Sequence, residues 1–370
     1  MNKQENESRF LAKAKEETII KLGLDVHAAQ ITVCRQQGGL LPQPAQRMEG
    51  ARALKWIQEQ VRSGAKVYSC YEAGPCGYGL HRKLTAMGVT NIVVAPQRWD
   101  ERGQRVKTDK RDARELVDRL DRYLRGNTKA FAVVRVPTEE EEQRRRVVRQ
   151  RTAVLKERNR CILRGHGILL AQGVRAPSRW WEPGHWDRFA ASLPQWLREQ
   201  VGLWQKQALS FQSELVTVNK RVEDLNEGKP VPKGLGSLTA ALLGNEILDW
   251  GRFKNRRQVA SYTGLCPSEA SSGEKRKQGA INKCGNPRIR HHLVEAVWRL
   301  EVWQPDYPPI QKLKKASGTR SRKRMAVAAA RRLAIDLWRI ETGQCSAQKL
   351  GLKMNPPSLK MNPPIQPAKA

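Results

Sequence analysis

Nine apolar residues, Leu197, Val201, Trp204, Ala208, Phe211, Leu215, Val218, Val222 and Leu225, follow one another at alternating spacings of four and three. This heptad pattern commits the stretch to one long helix whose narrow apolar seam must meet another helix. A second stretch upstream offers a matching seam. Val147, Val154, Cys161 and Ile168 lie seven apart, as do Val148, Leu155, Ile162 and Leu169. Glu139–Glu142 opens this earlier helix, where the positive end of a helix dipole favours acids. The resulting coiled-coil arm, residues 138–227, either folds back on itself or pairs with a second copy of the chain, because heptad spacing does not say whose helix is the partner. Trp180, Trp181 and Trp186 fall between the two helices, either as aromatic packing at the base of the coiled coil or as platforms for bases. Asn226-Glu227-Gly228-Lys229-Pro230 ends the arm.

The chain before the arm has a different texture. After a mixed-charge leader at 1–17, Ile19–Val26 and Gln30–Arg35 read as two strands joined by a very short turn. Helical spacing over Ala51–Val61, a strand at Lys66–Tyr71, a helix from Tyr78 to Met87, a strand at Asn91–Ala95 and a helix beginning near Lys110 follow. Strands and helices alternating behind a hairpin predict an α/β domain over 18–137, a mixed sheet covered by helices. After the arm, 228–342 reads as a compact, mainly helical domain. The proline-rich repeat Leu352-Lys353-Met354-Asn355-Pro356-Pro357, recurring from Leu359, predicts a disordered tail over 343–370.

Charge sets the partner. Of 370 residues, 68 are Lys or Arg and 36 are Asp or Glu, a net charge of +32. Such self-repulsion suits a surface that neutralises phosphates and releases their counterions, so nucleic acid is the expected partner. The basic residues spread over several regions, including Arg144, Arg145 and Arg146 on the arm and Lys312–Arg339 near the end, which fits a folded RNA better than a short duplex site. Seven cysteines, an odd number without a C-x-x-C pair, argue against disulfide frameworks and zinc ribbons and fit a reducing cytoplasm. The start of the chain lacks an apolar signal core, and no run approaches the roughly 18 apolar residues of a membrane span, so no membrane association is expected.

Two clusters could carry chemistry. Asp25 ends the first strand, Glu72 follows the Lys66–Tyr71 strand, and Asp109 and Asp112 sit three apart at the start of a helix, on one of its faces. Singly, each is an ordinary turn residue or surface ion-pair partner. Together, four carboxylates over a sheet make a hard-oxygen site for Mg²⁺ or Mn²⁺ suited to phosphoryl transfer. His27, two residues after Asp25, either leans into that site or is a turn residue. The second cluster is the glycine-bounded run Gly264–Lys277, where Ser271 and Ser272 precede Gly273 and the cations Lys275, Arg276 and Lys277. Its serine either attacks a phosphodiester while the cations neutralise developing charge, or only donates hydrogen bonds in a phosphate-binding turn. Upstream, Lys233-Gly234-Leu235-Gly236 feeds a helix and resembles a helix-hairpin-helix grip on a nucleic-acid backbone. No ATP or dinucleotide loop is present, and Cys266, Cys284, His291 and His292 lack the paired spacing of zinc ligands.

The order of these motifs is itself recognisable. Ile20–His27, Tyr71-Glu72-Ala73-Gly74 and Lys107–Ala113 resemble the DEDD, RuvC-like N-terminal domain of a bacterial insertion-sequence transposase family that includes the pilin-gene invertases. Gly234–Ala240, Arg252-Phe253, Tyr262-Thr263-Gly264-Leu265 with Pro267, Ser272-Gly273, and Gly279 through Gly285-Asn286 look like that family's C-terminal transposase domain, and the resemblance covers about 18–340. It implies an RNase H-like fold, a coiled-coil insertion, metal held by Asp25, Glu72, Asp109 and Asp112, and a serine that attacks DNA. The family serine directly precedes glycine, which points to Ser272, with Ser271 adjacent. Also implied are DNA partners at the element ends and target, a structured non-coding guide RNA encoded by the element, and a homo-oligomer, dimer or tetramer, working on the bacterial nucleoid. Lys107, Lys233, Gly234, Gly236, Lys283 and Arg288 join the arm and loop cations as expected nucleic-acid contacts. Lys233 between Pro232 and Gly234 departs from the family, where proline commonly precedes that glycine directly. Two other readings compete: a metal-dependent, junction-resolvase-like nuclease that uses water, and a non-catalytic RNA-binding protein.

Overall fold

A computed structural model describes residues 18–96, 108–270 and 278–356. It is mixed α/β, and its contacts divide into two compact units that meet in sequence at Val136 and Pro137.

In the first unit, β1 (Ile19–Val26), β2 (Gln30–Gln37), β3 (Gln46–Glu49), β4 (Lys66–Glu72) and β5 (Thr90–Val94) form one sheet in the order β3-β2-β1-β4-β5. The pairs β1–β2 and β2–β3 are antiparallel, whereas β1–β4 and β4–β5 are parallel. Alternation along β1 sorts its side chains: Ile20, Leu22 and Leu24 pack with Ala53 and Ile57 of α1 (Gly50–Arg62) and Leu84 of α2 (Gly79–Ala86). The intervening residues Lys21, Gly23 and Asp25 therefore face the other side, which α3 (Asp109–Leu124) covers. Strand β3 has no counterpart in the sequence reading. Its residues Gln46, Arg47 and Glu49 are polar because it is an edge strand with little to bury.

Gly23 decides how close α3 can come. A Cβ there would overlap the carbonyl oxygen of Ala113 and lie 2.6 Å from the backbone nitrogen of Val117. The helix backbone thus rests directly on β1, and Cys70 on the neighbouring strand donates its thiol to the carbonyl of Leu116 at 3.4 Å. At the far end of this contact, buried Lys21 donates to the Gly38 carbonyl at 2.7 Å and pairs with Asp121. Burial opposes ionisation of Asp121, but Lys21 and Arg125 outweigh it and hold the carboxyl below its ordinary value. Gly23→Ala should lift α3 and cost about 2–3 kcal/mol, the usual effect of overpacking a tight core, measured as a lower thermal midpoint.

In the second unit, α4 (Glu139–Ala171) starts with a reciprocal cap between Thr138 and Glu141. It pairs antiparallel with α6 (Gln195–Asp224): Arg151 donates to Asn219 at 3.1 Å, and Arg158 to Gln212 at 2.6 Å. Leu197, Val201, Ala208, Leu215, Val218 and Val222 fill the seam, so the heptads are satisfied within the chain. Between the two helices, before and within α5 (Pro183–Ala191), the tryptophans close the hairpin. Trp180 and Trp181 are buried, and the Trp180 ring occupies the space beside Gly165 where a Cβ would sit. These two rings are spent on packing.

The rest of this unit surrounds a helical core: α7 (Ser237–Ile247), α8 (Arg256–Thr263), α9 (Pro287–Trp303), α10 (Pro308–Lys314) and α11 (Thr319–Glu341). Short strands β7 (Pro267–Glu269) and β8 (Gln278–Ile281) pair antiparallel. The expected disordered tail is corrected over 343–356. Leu352 is buried, Met354–Asn355 forms strand β9 against β6 (Val231–Pro232), and buried Gln304 donates to the carbonyls of Lys233 and Lys353. The proline-rich composition hid one apolar anchor and a two-residue pairing.

Candidate active site and nucleic-acid interface

The register places the N-terminal cluster. Leu24 lies opposite Tyr71 on parallel strands, so Asp25 and Glu72, one residue further, end neighbouring strands. Ala113 rests on Gly23, and Asp109 is one helical turn before Ala113 while Asp25 is two strand residues beyond Gly23. Both steps are roughly 6 Å, so Asp109 comes down beside Asp25. Asp109 and Asp112 are the acids in the first turn of α3, where the helix dipole favours them.

Asp25, His27 and Asp109 offer ligand atoms that all lie within 4.8 Å of one another. His27 Nε2 is 3.3 Å from Asp25 Oδ2 and 3.9 Å from Asp109 Oδ1. The turn that carries His27 is closed by its backbone N–H donating to Gln30 at 2.9 Å. Arg47 of the edge strand donates to Asp109 Oδ2 at 2.6 Å. Glu72 and Asp112 lie outside this tight group, each half-buried. The sequence left His27 open between the site and a turn, and it gave no sign of Arg47, whose strand carries no apolar signal.

In the second unit, the glycines of the expected backbone grip answer to packing. Gly234 and Gly236 have φ of 88° and 81°, and a Cβ on them would meet Trp303 at 2.7 Å and Arg299 at 2.7 Å. Lys233 is exposed with its ammonium 5.3 Å from the Trp303 ring centroid. Arg144, Arg146, Lys283 and Arg288 are also exposed, and Lys283 has a φ of 58°. Arg145 donates to the carbonyl of Asn245 at 3.1 Å, so part of the arm's basic run serves the fold. Ser271, Ser272, Lys275, Arg276, Lys277 and Lys107 lie outside the described residues.

The strands that bound the serine segment stand on a polar hub. Glu246, buried in α7, accepts two hydrogen bonds from Arg149 at 2.9 and 3.0 Å and one from Asn286 at 3.1 Å, while Tyr262 donates to its carbonyl at 3.0 Å. Asn286 also caps α9 by accepting from Arg288 and Ile289. Gly264 and Gly285 touch backbone to backbone: a Cβ on Gly264 would be 2.8 Å from the Gly285 nitrogen. The motif residues Tyr262, Gly264, Gly285 and Asn286 therefore build one support. A glutamate as the one charged residue of Ser237–Ile247 was the sequence signal for this hub.

Residues 232–309 match the model of the family described as Transposase IS116/IS110/IS902. The Sinorhizobium fredii protein named transposase y4rJ is 35% identical over 305 residues, which cover 72% of this chain and 75% of that protein. The chain belongs to the IS116/IS110/IS902 transposase family. The transposase is also 28% identical over 331 residues to the transposase for insertion sequence element IS1111A of Coxiella burnetii, covering 80% of this chain and 85% of the relative. It is 24% identical over 298 residues to the transposase for element IS1533 of Leptospira borgpetersenii, covering 76% and 85%. Among the described residues of the transposase, no helix is long and apolar enough to cross a membrane.

Proposed function

We propose that this insertion-sequence transposase cuts and rejoins DNA through a serine hydroxyl, Ser272 or its neighbour Ser271, together with a divalent-cation site at Asp25, Asp109 and His27 that Glu72 and Asp112 flank. The observation that carries this reading is the convergence of Asp25, His27 and Asp109 within 4.8 Å at the ends of β1 and α3. The donor set suits Mg²⁺ or Mn²⁺: ligands about 2.1 Å from one ion stand up to roughly 4.2 Å apart, so atoms within 4.8 Å need only a small inward adjustment, and the two carboxylates supply the anionic oxygens such ions prefer. The Arg47 guanidinium paired with Asp109 supports a field that favours a cation. The sheet order β3-β2-β1-β4-β5 supports an RNase H-like frame.

A bound divalent cation would supply Lewis-acid stabilisation of charge on phosphoryl oxygens. The protein's own groups do the rest. Asp25, Asp109 and the His27 imidazole would hold that cation against the phosphate. When the serine oxygen bonds to phosphorus, the bond from phosphorus to one deoxyribose oxygen breaks. The serine proton passes to a base, and the departing oxygen takes up a proton. Attack on the phosphoserine by another strand's hydroxyl reverses these changes and restores a diester without ATP, in keeping with the lack of an ATP loop. Net charge of +32 supports both DNA and a structured, element-encoded guide RNA as partners, on the bacterial nucleoid. Leu163, Leu170, Trp196 and Leu203, exposed outside the hairpin seam, support a homo-oligomer.

Because the carboxylate cluster is assembled within one unit, a water-using nuclease is the second reading. Denaturing gels of labelled DNA quenched during reaction separate the two: a protein–DNA adduct that disappears in Ser272→Ala supports the serine mechanism. Metal-dependent cleavage without an adduct in any form supports the nuclease.

A further inference from the structure

The second unit contains a cavity of about 510 Å³, within the size range of sites that take small organic ligands, which the transposition chemistry above does not use. One wall is a stripe of α11 in which Met325, Ala328, Ala329, Arg332 and Asp336 recur three or four residues apart, on one helical face. Pro308 and Pro309 at the start of α10 form another wall, and Leu350 of the ordered tail a third.

Polarity changes along the cavity. At its inner end Asp336 is 1% exposed; its Oδ2 accepts from Tyr307 and from Arg332, both at 2.8 Å, and Arg339 lies 3.4 Å from Oδ1. That carboxylate is thus already balanced. At the mouth, exposed Lys312 and Lys349 come from different walls, and neither has an acidic partner among the described residues. Between these ends lie the small and apolar side chains of Met325, Ala328 and Ala329.

Two unpaired ammonium groups over an apolar shelf call for a ligand with an anion joined to a flat, largely apolar body. Inorganic phosphate would leave the shelf unused, and a paired base is held in its stack and cannot enter. We propose that this cavity receives one unpaired nucleotide, with its phosphate at Lys312 and Lys349 and its base against Met325, Ala328 and Ala329. This rests on the nucleic-acid part of the reading above and adds a place that captures a splayed-out base. The nucleotide can belong to RNA, to DNA or to the free pool, and the chemistry is shared.

The test uses the full-length protein and four probes: RNA and DNA hairpins carrying one 4-thiouridine or 4-thiothymidine bulge, and their fully paired counterparts. Irradiation of the bulged probes should give a crosslink that mass spectrometry maps to residues 308–332. Ala328→Trp fills the shelf from an exposed helical position without changing charge. It should weaken a bulged probe about tenfold and leave paired probes unchanged. The bulged probe that loses affinity identifies the polymer, and protection of the crosslink by millimolar UMP would assign the site to free nucleotides as well. As a second variant, Lys312→Ala/Lys349→Ala should weaken the bulged probe about fivefold more than the paired one. Equal binding of bulged probes by wild type and Ala328→Trp, with crosslinks mapping elsewhere, would overturn the cavity assignment while the nucleic-acid reading stands. Failure of the wild type to bind any of the four probes would overturn both.

Discussion

Asp25→Asn should lower metal-dependent DNA strand cleavage by roughly a thousandfold or more, while the protein keeps its thermal midpoint and its affinity for nucleic acid. Asparagine has the shape of aspartate and retains one oxygen acceptor, so β1 and its contacts are undisturbed. What it removes is one negative charge from a site where, among the described residues, Asp25 and Asp109 are the two carboxylates close enough to share an ion. A hard divalent cation sheds its water reluctantly and is held by anionic oxygens, so loss of one charge weakens it far more than loss of a hydrogen bond. The preserved fold follows from exposure: Asp25 is 23% exposed and its partner His27 51%, so neither holds a core together. Asp109→Asn should behave the same way. Glu72→Gln and Asp112→Asn, outside the tight group, should cost less at saturating Mn²⁺. Single-turnover cleavage of end-labelled DNA over a metal titration measures all four. Near-normal rates for both Asp25→Asn and Asp109→Asn in Mg²⁺ would sink the site assignment.

The first unit was legible because its signals are local. Strands such as Ile19–Val26 are short apolar runs bounded by turn residues, although nothing in that run announced that a helix backbone would rest on Gly23. Asp109 and Asp112 could be read as facing one way from their spacing alone. Convergence could not be read in the same manner. Whether an acid at a strand end meets one at a helix start depends on register, here fixed by Ala113 resting on Gly23, ninety positions earlier in the sequence. His27 enters the group because its turn is closed, and Arg47 because an edge strand bends back, and neither event has an apolar pattern to announce it. In the arm, the heptads specified a seam but not its owner. The polar pairs Arg151–Asn219 and Arg158–Gln212 decide for the chain's own helix. At the end of the chain, composition misled: proline content outweighed Leu352, although one buried leucine and two strand residues suffice to dock the segment.

Glu246→Ala should destabilise the second unit by about 3 kcal/mol. Glu246 is 5% exposed, and its removal leaves Arg149 and the Asn286 amide without the carboxylate they were built around. Breaking a fully buried ion pair costs roughly 3–5 kcal/mol, and the lower end applies because the Arg149 side chain is 40% exposed and regains some water. Glu246→Gln keeps the shape and an acceptor and should cost about half as much. Acid titration adds an independent check. Burial raises the Glu246 carboxyl, but Arg149, then Asn286, outweigh it and set the group below its ordinary 4.5. Its contribution is therefore complete above about pH 4.5 and is lost as the pH falls through the lowered value. His292 acts earlier: burial, then the nearby His291 and Arg151, lower it from 6.5 to about 4, so the neutral ring is favoured and stability falls as the pH drops from about 6.5 toward 4. Wild-type protein should thus lose stability in two stages on acidification. Glu246→Gln should shrink the lower stage, to which Asp121 also contributes, and His292→Asn should shrink the upper, to which His81 also contributes. The effect on function follows from what the hub supports. Asn286 caps α9 and holds the Gly264–Gly285 contact, to which β7 and β8, on either side of the serine segment, are tied through the backbone bond from Asn282 to Cys266 at 2.8 Å. Glu246→Gln should therefore reduce the covalent serine–DNA adduct at temperatures where the protein is still folded and still binds nucleic acid. An unchanged adduct yield in a variant whose lower acid transition has shrunk would show that the hub serves stability alone.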